Sequence, residues 1–260
     1  MNQRVGIVVP TLGNRPDYLE QCLSSIRAAG GAHILLVAPA SFESVVLRNA
    51  GLVDSVVLDA GGGLAAVINQ GIRALPGTVE FVNWLGDDDL LTTNSLVASS
   101  KALDLDDQTV MVFGSCDYID GAGQTVWANS SGQWAVPLLR FGPDLIPQPG
   151  ALFRRSAFDK VGGLKTDLGW AFDFDLFIRL SKVGKLRFLN QTLAKFRWHP
   201  ESLSVEHRKK SVAEASQVRV SHLPALLRLI SFIWEFPVRQ ATLIAGERVT
   251  ARAQAKARNI

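Results

Sequence analysis

The sequence predicts an α/β domain with a mostly parallel central sheet flanked by helices, followed by a helical C-terminal appendage. Three observations predict it. Strand-like and helix-like segments alternate over the first hundred residues, the strands read as continuous apolar runs rather than alternating ones, and the basic character of the chain is concentrated at its C-terminal end. Continuous runs belong to strands buried on both faces, and strand–helix alternation is the pattern of right-handed β-α-β units. With 260 residues, 47% of them hydrophobic, the chain can bury one substantial core.

The first strand is Val5 to Val9, rich in β-branched residues and ended by Pro10. "NRPDYLEQCLSSIRAAGG" follows, with Leu19, Cys22, Leu23 and Ile26 at helical spacing, an early Pro16 and a terminating Gly30. Ile34 to Val37 reads as a second strand and "VDSVVLD" as a third; "GGGLAAVINQGIRAL" is a glycine loop running into a helix, and "VEFVNWL" is a further strand. Ligands of such sheets sit outside the carboxyl ends of the strands, so the loops Pro10 to Arg15, Gly61 to Gly63 and Gly86 to Asp89 should converge. In the second half, "VMVFGSCDYID" is a strand followed by a Gly-Ala-Gly turn, "GWAFDFDLFIRLSKVG" a loop entering a helix, and "LRFLNQTLAKFRWH" one or two short strands.

Cys22 and Cys116 match no metal-ligand or redox spacing, which makes them reduced thiols and favours a cytoplasmic setting. The N-terminal "MNQRVGIVVP" is too short an apolar run before Pro10 to be a signal peptide, and reads as the first strand.

"NWLGDDDLL" places Asp87, Asp88 and Asp89 directly after an apolar strand. Adjacent carboxylates repel, and increasingly so as water is excluded, so the cluster is either solvated or neutralised by a cation. Hard oxygen ligands suit Mg²⁺ or Mn²⁺, which proteins hold with one or two carboxylates together with substrate phosphates. The competing reading is a solvated turn in which an aspartate or Thr92 caps a helix beginning near Asn94. A D-x-D phosphatase nucleophile is disfavoured, because Leu90 and Leu91 follow Asp89 where that motif wants Thr or Val.

Taken in order, "VGIVVPTLGNRPDYLEQCLSSI", "GGGLAAVINQGI", "NWLGDDDLL", "IPQPGALFRRSAFDKVGGL", "FDFDLFIRL" and "FRWHPESLS" resemble the motifs of GT-A-fold glycosyltransferases of family 2, inverting enzymes that use nucleotide-diphosphate sugars. The resemblance spans about residues 4 to 205. It implies a Rossmann-like catalytic domain over 1–207, with a nucleotide-binding half to about 105 and an acceptor-binding half from about 106. It places Pro10, Thr11, Asn69, Asp87 and Asp88 at the nucleotide. Asp88, supported by Asp89 and His199, is implied as the ligand of Mn²⁺ or Mg²⁺, and Asp173 as the base that takes the acceptor proton. Gln148, Gly150 and Asp175 fall near the acceptor. A helix cap is the other reading of Asp173, and a surface pair with Arg179, four residues on, is the other reading of Asp175. Phe172 replaces the Glu of the family's E-D-x-D pattern, and an aromatic neighbour should raise the Asp173 pKa by desolvation.

Two departures stand out. Ala38 and Pro39 occupy the place where many relatives carry the carboxylate that holds the base, and Ile68 replaces an arginine before Asn69. Arg15 or Arg73 would then have to offset the diphosphate charge.

From Arg208 to Ile260 there are ten Lys and Arg against three acids, a net of +7, while the preceding residues carry 17 basic and 21 acidic groups, a net of −4. This 208–260 tail combines spaced arginines with Phe232, Trp234 and Phe236. It reads as an amphipathic segment on the inner leaflet, with the alternative that it packs on the domain or on a second copy in a homodimer. Membrane placement would suit a lipid-linked or cell-envelope glycan acceptor. A sugar-nucleotide pyrophosphorylase is the rival enzyme, though "PTLGNRPD" lacks its glycine-rich loop, and a non-catalytic carbohydrate-binding protein is the rival outside enzymology. The acidic body and the lack of a recognition motif argue against nucleic acid as a partner.

Overall fold

The computed structural model describes residues 3–42, 51–129, 131–198 and 208–257. Strand β1 (Val5–Pro10) leads to helix α1 (Pro16–Ala29), β2 (His33–Ala38), β3 (Ser55–Leu58), α2 (Leu64–Ala74) and β4 (Phe81–Trp84). Then come β5 (Leu90–Leu91), α3 (Ser95–Asp104), β6 (Thr109–Ile119), β7 (Thr125–Trp127), the one-turn α4 (Ala135–Leu138) and β8 (Leu152–Arg154). Helices α5 (Arg155–Lys160) and α6 (Phe172–Leu180), strand β9 (Lys185–Arg197), and helices α7 (Arg208–Ser221), α8 (Ala225–Ile230) and α9 (Phe232–Ala257) complete the described chain.

Among the described residues the sheet has nine strands in the order β3-β2-β1-β4-β8-β6-β9-β5, with β7 paired to β6. β1 pairs in parallel with β2 and β4, β2 with β3, and β6 with β9; the short strands β5, β7 and β8 run the other way. The mostly parallel sheet flanked by helices is therefore the architecture the sequence predicts.

The apolar runs are explained by burial on both faces. Val5, Ile7 and Val9 of β1 join α1 and α3 in one core layer, through Leu19, Leu23, Ile26 and Leu96. Val8 points the other way, to Ile68 and Ile72 of α2 and the aromatic layer of Trp84, Phe153 and Phe177. Trp84 stacks on Phe153 at 5.7 Å between centroids, an offset pairing that continues to Phe177. Gly71 is the point of closest approach of α2 to the sheet: a Cβ there would lie 2.4 Å from Val8. Cys22 and Cys116 are buried free thiols.

The stretch from Lys185 to Arg197 forms one long strand, β9, rather than two short ones, because β6 pairs with it near both ends, from Lys185 to Leu189 and again from Thr192 to Arg197. The register slips around Gly114 to Cys116, where a Cβ on Gly114 would meet the Gln191 carbonyl at 2.5 Å.

The appendage packs on the α/β body. α7 buries Val212, Ser216, Val218 and Arg219, and the Arg219 guanidinium makes a buried pair with Glu235 of α9 while donating to the Gly142 carbonyl at 2.7 Å. Trp234, expected at a membrane boundary, turns inward onto Phe141 at 5.9 Å between centroids, and Arg252 lies over the Trp127 ring. Phe232 and Phe236 remain exposed. Among the described residues no helix is long and apolar enough to cross a membrane.

Candidate active site

At the carboxyl edge of the sheet a cleft of about 600 Å³ opens, within the range of small-ligand sites. The three loops expected to converge do so there: Pro10 at the end of β1 with Thr11 and Arg15 after it, Gly63 before α2, and Gly86 to Asp89 after β4 all line it. Gly61, Gly62 and Gly63 have φ of 81°, 93° and 87°, left-handed values that favour glycine and turn the chain into α2. The far wall is Trp170, Phe172 and Asp173 at the start of α6, with Ser211 from the appendage.

Each carboxylate of the acidic loop has a different setting. The Thr11 hydroxyl donates to Asp87, and the Arg15 guanidinium pairs with Asp88 at 2.7 Å. Asp89 is buried and accepts the Arg197 backbone N–H at 3.0 Å; burial pushes its pKa well up, with the charge of Asp88 adding to that. Arg197, fully buried, holds the loop in place: it donates to the carbonyls of Asp88, Asp120 and Gly121 and lies over the Tyr18 ring. The alternative reading, a capped turn, does not describe this loop. Asn94, in the N-cap position of α3, makes no side-chain cap, and the Thr92 hydroxyl donates across to the Thr192 carbonyl.

Among the described residues no three His, Cys, Asp or Glu side chains converge as a metal cage. The donor set nevertheless fits Mg²⁺ or Mn²⁺. One or two carboxylates on the cleft wall are what those ions take from protein when phosphates supply the rest, and an acidic loop under desolvation favours a cation. His199 lies outside the described residues.

Asp173 sits in the first turn of α6, half-buried, with the Phe174 N–H donating to it at 2.8 Å. Burial pushes its pKa up to about 6, and the charge of Glu214 adds to the rise. Desolvation beside Phe172 acts in the direction the sequence predicts. Asp175, two residues on, is fully buried and does not line the cleft. Burial alone would push its pKa up, but hydrogen bonds from His222, Lys165 and Arg179 override that and hold it well below the usual carboxylate range. It is thus a buried ion-pair centre, neither an acceptor contact nor a surface pair. The reason is the helical period, which turns position 175 toward the packed side of α6.

Asn69 is likewise turned away from the cleft. Its side-chain amide donates to the Leu164 carbonyl at 2.8 Å and accepts the Leu164 N–H at 2.9 Å, tying α2 to the segment after α5. Gln148 lines the cleft with its amide held by the Trp84 carbonyl and Asn83, whereas Gly150 is buried against β9. Of the two candidate cations, Arg15 reaches the cleft and Arg73 is exposed elsewhere.

Sequence reasoning missed three residues here. Asp59, just beyond β3, lines the cleft one strand outward from Ala38 and Pro39; its position past a strand end was the available signal. Glu214 of α7 accepts the backbone N–H groups of Gly169, Trp170 and Ala171, which precede Asp173. Asp144, whose pKa burial pushes well up with Asp173 adding to the rise, is electrostatically linked to the same aspartate. Nothing local in the sequence signals those last two.

No protein-family model matches the chain. It is similar to an uncharacterised glycosyltransferase of Rickettsia felis, 24% identical over 217 residues covering 76% of this chain and 34% of that protein. One from Rickettsia prowazekii is 23% identical over 206 residues, covering 75% and 64%. The chain thus spans about a third of the first relative's length. Among solved structures it resembles the mannosyltransferase PcManGT of Pyrobaculum calidifontis in complex with GDP-Man and Mn²⁺, with TM-score 0.66, 18% identity, and coverage of 98% of this chain and 79% of that one. It also resembles S. aureus TarS residues 1–349 in complex with UDP-GlcNAc, with TM-score 0.65, 12% identity, and coverage of 87% and 69%.

This chain has the GT-A-type glycosyltransferase fold. Within that fold, the cleft described above lies at the carboxyl edge of the parallel strands, where open α/β sheets bind their ligands.

Proposed function

We propose that the protein is an inverting, metal-dependent glycosyltransferase that moves a sugar from a nucleotide-diphosphate donor to a lipid-linked or cell-envelope glycan on the cytoplasmic side of a membrane. The observation that carries the reading is one cleft with an acidic loop and an arginine on one wall and an aspartate of raised pKa on the other. The glycosyltransferase names of the relatives and the sugar-nucleotide complexes of the structural neighbours support it.

In this reading the nucleoside lies over Pro10 and Thr11, and Asp59 serves the ribose or base in place of the carboxylate missing at Ala38 and Pro39. Arg15 leaves Asp88 to meet the diphosphate. Asp88, with Asp87 and Asp89 behind it, would hold a divalent cation, which when bound would supply Lewis-acid stabilisation to the departing diphosphate. Asp173 accepts the proton of the acceptor hydroxyl as that oxygen attacks the anomeric carbon from the face opposite the leaving group. A carboxyl with a pKa of about 6 is mostly ionised at neutral pH yet basic enough to take that proton. Trp170 and Phe172 exclude water from the bond being transferred.

A thermal-shift panel of UDP, GDP, dTDP and CDP, with and without Mn²⁺, tests the reading. A nucleotide at about 100 times its dissociation constant adds roughly 2.7 kcal/mol to stability. One diphosphate should stabilise the protein in a metal-dependent way, and Asp88→Ala should remove the effect. If no nucleotide shifts the melting point with or without metal, the donor site is not functional and a non-catalytic binding role takes its place.

A further inference from the structure

Helices α8 and α9 meet at Ser231 and turn the wrong face to solvent. The inward side carries Ser231, Trp234 and Glu235, with Glu235 buried in its pair with Arg219 and the Ser216 hydroxyl donating to it. The outward side carries Leu226, Leu229, Ile233 and Phe236 at spacings of three and four, flanked by Ile230 and Phe232. Leu226 is 80% exposed, Leu229 74%, Phe232 70% and Phe236 68%. A helix of a soluble domain ordinarily buries its apolar stripe and exposes its polar one. Here the order is inverted, because the buried Arg219–Glu235 pair fixes the rotation of α9 about its axis.

We propose that this α8–α9 face is a docking surface for an anionic lipid bilayer, lying along the interface rather than crossing it. The charge on the face selects the occupant. Between Leu223 and Gly246 the charged residues are Arg228, Arg239 and Glu235; both arginines are exposed, the Arg228 guanidinium also donating to the Leu223 and Ser221 carbonyls, and the one acid is buried. A second copy docked through the same face would bring four arginine charges into one interface with no exposed acid between Leu223 and Gly246 to offset them. Anionic headgroups match the arginines, while the leucines and phenylalanines enter the acyl boundary. This surface differs from the one the sequence suggests: Trp234 is not part of it, and the arginines that matter are the two on α8 and the first turns of α9. It does not depend on the transferase reading, since docking is measurable without donor or acceptor.

The test is flotation of the whole chain with vesicles of phosphatidylcholine alone and of phosphatidylcholine with about a third phosphatidylglycerol. The protein should float with the anionic vesicles, less so as salt rises. The triple variant Leu229→Ser, Phe232→Ser, Phe236→Ser should lower the partition coefficient at least about tenfold with an unchanged melting temperature, because those side chains are exposed. Arg239→Glu should lower it several-fold on anionic vesicles alone. Absence of flotation of the unaltered chain overturns the proposal, and so does a triple variant that floats as well as the original. Sedimentation that shows a dimer lost in the triple variant, with no vesicle binding, assigns the face to a second copy instead.

Discussion

The acidic loop after β4 and the first turns of α6 are both aspartate-rich and both edge the same cleft, but they are neutralised differently. In the loop, Asp87 has a hydroxyl, Asp88 a guanidinium and Asp89 a backbone N–H. In α6, Asp175 takes three cationic or imidazole partners while Asp173 takes only backbone N–H donors. Two aspartates two residues apart are therefore driven in opposite directions, one up to about 6 and the other below the usual range. The difference teaches that where burial pushes two carboxylates the same way, the supply of partners decides whether one titrates near neutral pH or stays a structural anion.

The strongest way to break that comparison is Asp173→Asn. It should lower the transfer rate by roughly 10² to 10⁴-fold while leaving metal-dependent nucleotide binding intact. In the unaltered protein the rate should fall as pH drops through about 6, because the proposed base must be unprotonated; a profile flat to pH 4.5 would remove Asp173 from the role.

Asp175→Ala should act on stability instead, by about 3 kcal/mol, since it leaves Arg179 and its partners around an uncompensated buried site. The pKa shift is opposite in sign to that of Asp173. A depressed folded-state pKa contributes stability that is present above the ordinary carboxylate pKa of about 4 and is lost as pH falls below it. Asp175→Asn should therefore weaken the acid dependence of unfolding below about pH 4, read by urea titration across pH.

Glu214→Gln is the smallest and most diagnostic change. It keeps an acceptor for the loop N–H groups but removes the charge, costing about 1 kcal/mol of stability. Because the Glu214 charge adds to the raised pKa of Asp173, the acid limb of the rate profile should move to lower pH. An unmoved limb would show that Glu214 braces the loop without tuning the base.

Much of the fold was legible because it is written in local patterns. β1 and β2 announce burial on both faces by their unbroken apolar runs, and the glycines before α2 announce a left-handed turn. The cleft was legible for the same reason, since Thr11, Gly63 and Asp87 all lie at strand or loop ends that topology must bring to one edge. Asn69 and Asp175 were not, because a helix has several faces and only packing decides which one meets the cleft. The appendage was half legible: its charge and aromatics pointed outward as a group, but the buried Arg219–Glu235 pair turns Trp234 in and leaves Phe232 and Phe236 out.

Residue order alone was enough for the α/β class, the parallel strands and the strand-end loops, because hydrophobic period and turn chemistry act over a few neighbouring positions. The assembled fold alone could separate Asp173 from Asp175, bring Glu214 to the loop before α6 and expose the α8–α9 face. The first two outcomes use partners more than 40 residues away, as with His222 and Asp175 at a separation of 47, and the third uses the Arg219–Glu235 pair at a separation of 16; electrostatic and packing forces act through space without regard to chain order.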